Sequence, residues 1–329
     1  MNVHNAICLK TSKNNYVSDI HYAMMNEIEE IEIVLTLSNK LWNVTFIYET
    51  VKKFAIKLSD SCVFKITGHL LEILNKIDNN FIDIDRLYYD NQIHIPIKLA
   101  GKIKTHLIRY SSLKLYIECN DTDLDNSEIL LTLKSLSNLS NNRLYTLPNE
   151  LIELIFSFYP KKIEIDDVSL QIKYYNVLPA IVPNECFEYT ENDFHIFYNI
   201  GFYNVTENIS INLDGYGYRF LDRVFICVLN EWNSNDIEYV MLMYNNLECK
   251  TSIPVLIQYS GFSIKNVVYV LNVKDLMLSS SCEKEHLIKI CFFNNKLINY
   301  NIVVYVDLCN KIAYGNGISA LRYYYPEDA

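Results

Sequence analysis

Few residues in this chain of 329 have the types and spacing that chemistry demands. Gly215-Tyr216-Gly217 and Gly315-Asn316-Gly317 are its glycine-rich stretches. Neither has the third glycine or the following Lys-Ser/Thr of a nucleotide loop, so both read as turns. No GxSxG elbow is present to lift a serine nucleophile. The 7 histidines include no pair at i and i+4, the spacing that would put two zinc ligands on one helix face. Asp121, Asp123 and Asp125 alternate like the start of a calcium loop. However, Asn126 stands where the sharp turn needs glycine, and Thr132 where a bidentate Glu would close the site, so a solvated acidic loop is expected. The 9 cysteines run from Cys8 to Cys309 without a CxxC pair, and their odd number suits reduced, buried thiols. Nothing in these patterns points to an enzyme: no catalytic residue, metal ligand or cofactor is implied.

The composition favours a fold made of pleated surfaces. Half the residues are apolar, only 21% are charged, and 26 Tyr and 15 Phe are present. Aromatic and β-branched side chains pack well on half-buried strands. The formal charge of −10, with no cluster of Lys and Arg, argues against direct contact with nucleic acid. No run approaches the ~18 apolar residues of a membrane-spanning helix.

Alternation of apolar and polar residues then places the strands. It is clear in Ile31 to Leu37, in Phe54 to Leu58 and Cys62 to Thr67 around a Ser59-Asp60-Ser61 turn, in Ile93 to Leu99, and in Leu113 to Ile117. Pro96 inside such a run predicts an edge strand or a strand end. Gly68 breaks a strand, after which Leu70, Leu71, Leu74 and Ile77 take helical spacing. The first thirty residues look polar and irregular, an arm or loop. Helices are expected over 129–139 and 147–159 as an insertion. Val168 to Tyr174 is a further strand, and Pro179 and Pro183 bracket a boundary. The predicted domains are therefore 1–178 and 179–329. The second half repeats the pattern through Ile209 to Leu213, Val224 to Leu229, Val240 to Tyr244, Ile253 to Tyr259, Val267 to Val273 and Leu287 to Phe293. It ends in Asn299 to Tyr325, where Ile302, Val304, Val306 and Leu308 share one face before the glycines flanking Asn316 bend the chain.

Five separated segments, in order, resemble the double jelly-roll major capsid proteins of nucleocytoplasmic large DNA viruses. The hairpin and helix contribute Gly68, Leu71 and Ile73, with Ser59 and Asp60 replacing the family's usual glycine pair. Pro96, Tyr110, Lys114, Ile117 and Glu118 fit its next strands, and Ser169, Leu170 and Tyr174 the close of its first roll. Asn272, Asp275, Ser279 and Cys282 fit a late strand, with Val273 where a Pro is common. Asn310, Ile312, Gly317, Leu321 and Tyr323 fit the terminal signature, with Cys309 where an aromatic is frequent.

The resemblance implies an all-β fold with a few short helices, built as two consecutive antiparallel eight-stranded jelly rolls. It implies a virion protein, assembled in the host cytoplasm, that forms homotrimeric pseudo-hexagonal capsomers of an icosahedral shell. Its partners would be itself, through trimer and lateral contacts, and other capsid proteins, with an internal viral membrane nearby. Short connections after Leu99 and Tyr244 keep a minor capsid protein, or a transient scaffold like that of poxviruses, as alternatives. From another class, LPNELIELIFSFYP at 147–160 resembles the opening of an F-box, which would make the chain a ubiquitin-ligase adaptor exposing Leu151, Ile155 and Phe156. A carbohydrate-binding jelly roll would have only Trp42 and Trp232 as strong stacking platforms.

Overall fold

The computed structural model describes residues 1–20, 27–38, 47–59, 61–78, 91–105, 111–120, 122–123, 154, 162–176, 190–205, 209–212, 221–229, 237–244, 247–251, 255–257, 267–272, 288–294, 300–315 and 318–321. In the first half the strands are β1 (Asn2–Ile7), β2 (Leu9–Ser12), β3 (Asn15–Ile20), β4 (Glu27–Leu37), β5 (Val51–Leu58), β6 (Ser61–Ile66), β7 (Gln92–Lys104), β8 (Leu113–Cys119), β9 (Thr122–Asp123), β10 (Lys162–Ile163) and β11 (Ile165–Tyr175). Helices α1 (Ile47–Thr50) and α2 (Gly68–Ile77) interrupt them. The second half supplies β12 (Thr190–Val205), β13 (Ile209–Asn212), β14 (Leu221–Val228), β15 (Ile237–Tyr244), β16 (Leu247–Thr251), β17 (Leu256–Ile257), β18 (Val267–Asn272), β19 (Ile288–Asn294), β20 (Tyr300–Gly315) and β21 (Ile318–Leu321).

Pairing turns this list into two jelly rolls. One sheet has the order β1-β11-β4-β7, and facing it β6-β5-β8-β3-β2 form one end of a long sheet. The same sheet continues through β12 into β20, β14, β18 and β17, opposite a separate sheet ordered β13-β19-β15-β16. Each half thus sets a four-stranded sheet against a five-stranded run of the long sheet, and β1 with β11, and β12 with β20, bring its early and late strands side by side, the jelly-roll order. Among the described residues the pairings are antiparallel except one: β12 meets β6 parallel at Ile196 and Lys65, and there the sheets of the two rolls fuse. The result is an all-β double jelly roll.

The polar start of the chain is not an arm. Residues 2–20 are three strands, β1 pairing β11 from Asn2–Tyr174 to Ile7–Ser169 and β3 pairing β8. They were hard to see because β1 and β2 lie at sheet edges with mostly exposed side chains, so burial leaves no alternation. Two further strands carry no clear period in sequence. β12 has aromatic and aliphatic residues on both faces, and β16 is a short strand at the border of its sheet. The helices expected over 129–139 and 147–159 lie outside the described residues, apart from the helical, exposed Leu154.

Pro96 lies in β7, the border strand of its sheet, where a missing N–H costs no ladder bond on the open side. The β5–β6 hairpin turns through Ser59 at φ 53°, so serine adopts the left-handed conformation that glycine normally supplies. At the end of the chain β20 runs on to Gly315 and β21 pairs back, Gly315 with Ile318 and Ile312 with Leu321, which is the reversal expected around Asn316.

Candidate functional site

The junction where the two rolls meet is the most constructed part of the molecule, and α2 is its wedge. Thr67 caps the helix, its Oγ1 accepting from the Leu70 N–H at 3.5 Å, and Lys76 stands in the last turn, where the helix dipole favours a cation. Gly68 is the first helical residue because nothing larger fits. A Cβ there would lie 1.8 Å from the Tyr48 carbonyl oxygen and 2.3 Å from that of Val51, both backbone atoms of the α1–β5 turn. Leu70, Leu71 and Ile73 then enter the core, with Leu74 and Ile77 packed against it. Asn75 is buried and donates both to Tyr48 Oη at 3.1 Å and to the Pro96 carbonyl at 3.0 Å, tying the helix to α1 and β7.

The opposite side of the wedge meets the second roll. His69 Nδ1 lies 2.6 Å from Tyr305 Oη on β20. Burial, with Lys76 nearby, pulls the His69 imidazole down to about 4. Burial also pushes the Tyr305 phenol up, and Thr67 hydrogen-bonds to it. Both rings are therefore neutral at pH 7 and share one hydrogen bond, whose direction is set by the imidazole tautomer. Close by, the fully buried Asp307 accepts through Oδ2 from Arg223 Nε at 2.8 Å, and Nη2 lies 2.7 Å from the same oxygen, so the guanidinium fork closes on one oxygen. The guanidinium also lies over the Phe225 ring. An aromatic row of Phe54, Phe64, Phe197 and Phe225, with successive centroids 6.0 to 6.5 Å apart, crosses from the first roll to the second.

Phe225, Cys227, Val268, Val303 and Tyr305 belong to the same core as the first roll's strands. Their strand neighbours Val224, Ile226, Val304 and Val306 are equally buried on the opposite face. A cavity of about 300 Å³ remains between α2, β6, β7, β12 and β14, with Asn75 and Arg223 in its wall. Arg223 is committed to Asp307, and the other two charges in the wall, Asp78 and Lys98, pair with each other at 3.5 Å, so among the described residues no unpaired charge lines the cavity.

Elsewhere the polar groups look structural. On the outer face of the first small sheet, Lys173 bridges Glu32 at 2.7 Å and Glu30 at 3.1 Å, and His94 lies 3.1 Å from Glu32. The hydrogen bond with His94, and then that with Lys173, hold the Glu32 carboxyl down at about 2. Among the described residues no group of three or more His, Cys, Asp or Glu could hold a metal ion. Free thiols there include the buried Cys8, Cys119 and Cys227, and burial pushes Cys8 and Cys119 up to about 12, far from reactive thiolates.

The residues singled out in the sequence do not form one site. Gly68, Leu71 and Pro96 converge on the wedge. Tyr174 packs half-buried in β11, and Asn272 ends β18 opposite Arg223. Asn310 pairs with Phe194, and Leu321 with Ile312. Tyr110, Cys282, Gly317 and Tyr323 lie outside the described residues, as do Trp42, Trp232, Asp121, Asp125 and the F-box-like segment except Leu154. His69, Asn75, Arg223, Tyr305 and Asp307 were not foreseen. Their one signal was apolar Val303 and Tyr305 on the supposedly outward face of β20.

No protein-family model matches the chain, and no curated protein matches it by sequence. Solved structures do. The chain is similar to VP54 of PBCV-1, as fitted into a reconstruction of the virophage Sputnik, with a TM-score of 0.61 and 9% identity over 98% of this chain and 97% of that one. It is similar to a chain in the quasi-atomic model of the PBCV-1 virus capsid, with a TM-score of 0.60 and 8% identity over 98% and 97%. The Faustovirus major capsid protein matches with a TM-score of 0.51 and 7% identity over 95% and 90%. At such identities the likeness is one of fold, the double jelly roll.

Proposed function

We propose that the chain is a structural subunit of a viral shell, a divergent and short member of the double jelly-roll capsid proteins. The observation that carries this reading is the architecture itself: two jelly rolls fused into one long sheet, with a fold like that of the PBCV-1 and Faustovirus capsid proteins over almost the whole chain. The side chains agree. The most elaborate constellation is a rigid joint between two rolls, and its buried charge is used up internally, as suits a part whose output is shape. The rolls divide near 178–179, with β1–β11 in one and β12–β21 in the other.

In this reading three copies associate into a pseudo-hexagonal capsomer that makes lateral contacts with its neighbours and with other capsid proteins, over an internal membrane. The protein resides in the virion after assembly in the host cytoplasm. The family signature of Gly68, Leu71, Pro96, Tyr110, Tyr174, Asn272, Cys282, Asn310, Gly317, Leu321 and Tyr323 acts in folding and in fixing the rolls, not in catalysis.

The test is the solution mass of the purified full chain by light scattering, followed by negative-stain imaging. A stable trimer of about three times 38.5 kDa with a six-lobed outline is expected. A monomer at all concentrations would sink the capsomer reading. Presence in purified mature particles, in high copy, separates a shell protein from a minor component or a scaffold that is lost on maturation.

A further inference from the structure

We propose that the cavity at the joint is a binding site for a small, neutral, hydroxyl-bearing aliphatic molecule, held by a hydrogen bond to Asn75 Oδ1. Its walls come from both rolls: Leu71 and Leu74 of α2, Phe64 of β6, Ile97 and Leu99 of β7, and Phe197 of β12. Phe64 and Phe197 meet edge to face at 6.0 Å, so the two rolls share one aromatic wall. The exposed Asp78 and Lys98 also line the cavity, and its mouth therefore lies between the end of α2 and β7.

Asn75 is the group that calls for a ligand. Its side chain is 2% exposed, and its Nδ2 donates to Tyr48 Oη and to the Pro96 carbonyl, which can only accept, so the amide cannot be turned over. Both bonds use the nitrogen. Among the described residues Oδ1 has no hydrogen-bond partner, yet it is not sealed off by protein, and Asn75 lines the cavity, so this acceptor opens into it. An acceptor left without a donor in a mainly apolar enclosure is costly, and a ligand hydroxyl relieves that cost.

Volume and charge then select the rest of the ligand. The cavity of about 300 Å³ is roughly twice the ~150 Å³ of a core cavity that admits benzene, so a chain of about eight carbons fits. The charges in the wall are already matched, Arg223 with Asp307 and Asp78 with Lys98. A charged head group would shed its water without gaining a counter-ion, and a purely apolar chain would leave Oδ1 unpaired. A neutral alcohol avoids both costs. Because it would lie against both rolls at once, it stiffens the joint, and it raises stability because the unfolded chain offers no such cavity. The site does not depend on assembly, so a monomeric chain would carry it as well.

The experiment titrates the purified full chain with 1-octanol, with heptyl methyl ether, which matches it in size but has no donor, and with octanoate, following heat of binding and Tm. One saturable site for 1-octanol and a rise in Tm are expected, with binding of the ether and of octanoate about tenfold weaker. Leu74→Trp on α2 and Leu99→Phe on β7 each put bulk into the space and should weaken 1-octanol binding about tenfold or more while the circular dichroism spectrum stays unchanged; the second decides if the first fails to fold. No saturable binding of 1-octanol would overturn the inference, showing a cavity that holds water only. An ether that binds as tightly as the alcohol would do the same, as would a folded, filled variant that binds 1-octanol as well as the unaltered protein. Octanoate binding as tightly as 1-octanol would also overturn it, by making Arg223 and not Asn75 the recognition group.

Discussion

The first-roll and second-roll parts of the long sheet are continuous, yet they are built by different rules. In the first roll, β8 alternates strictly, Leu113, Leu115, Ile117 and Cys119 buried and the residues between them half-buried toward solvent. In the second, Val224 to Val228 of β14 and Ile302 to Leu308 of β20 are buried without a break. The difference has one cause. The second roll's portion is covered on one face by its partner sheet and on the other by α2 and the aromatic row from the first roll. A helix inserted between two strands of one roll therefore completes the core of the next. Shape is held at the joint, while the outer faces stay free to vary.

If that contrast is right, disturbing the joint should cost far more than disturbing the one-sided strands. The largest effect is expected from Gly68→Ala, which drives a Cβ into two backbone carbonyls that cannot swing aside: about 4 kcal/mol or more in chemical denaturation. Next comes Arg223→Met, which removes the cation from beside the fully buried Asp307 and should cost about 3 kcal/mol; a loss under about 1 would mean that solvent reaches the joint.

Acid should then separate the regions by pH window. His69 sits near 4 in the folded protein against an ordinary 6.5, so the unfolded chain binds the proton first. Stability is complete above about 6.5 and falls by about 2 to 3 kcal/mol as pH drops to 4. His69→Gln, whose amide can hydrogen-bond Tyr305 in either direction but does not titrate, should flatten that part of a plot of Tm against pH. Glu32, on the first roll's outer sheet, sits at about 2 against 4.5. Its contribution is present above about 4.5 and is lost toward pH 2, about 1 to 2 kcal/mol because the cluster borders solvent. Glu32→Gln should remove this second, more acidic step and leave the first. Smallest of all, Glu118→Ala breaks the exposed Lys52 pair on the one-sided strands and should cost less than about 1 kcal/mol.

Much of this was legible in the residues. Wherever one face of a strand is core and the other solvent, a period of two is written into the sequence, and β4, β5, β7, β8 and β11 could be read from it. The helix after Gly68 followed from Leu70, Leu71, Leu74 and Ile77, and the closing hairpin from the glycines around Asn316. Borders and centres were harder to read. β1 and β2 bury too little to alternate, and β12 opens on the polar run Thr190 to Asp193 and then sets Phe197 beside Tyr198, so its sixteen residues show no period of two.

The sequence by itself determined the strands with one face in the core and the other toward water, such as β4, β5, β7, β8 and β11, and where the wedge helix starts after Gly68. Only the tertiary structure decided that β6 and β12 join in parallel, that Tyr305 and Asp307 face inward and not toward water, and that His69 and Arg223 are their partners. The reason is range. Alternation and capping are set by neighbours a few residues apart, whereas His69 and Tyr305 stand 236 residues apart and Arg223 and Asp307 84, so their pairing depends on where whole sheets are placed.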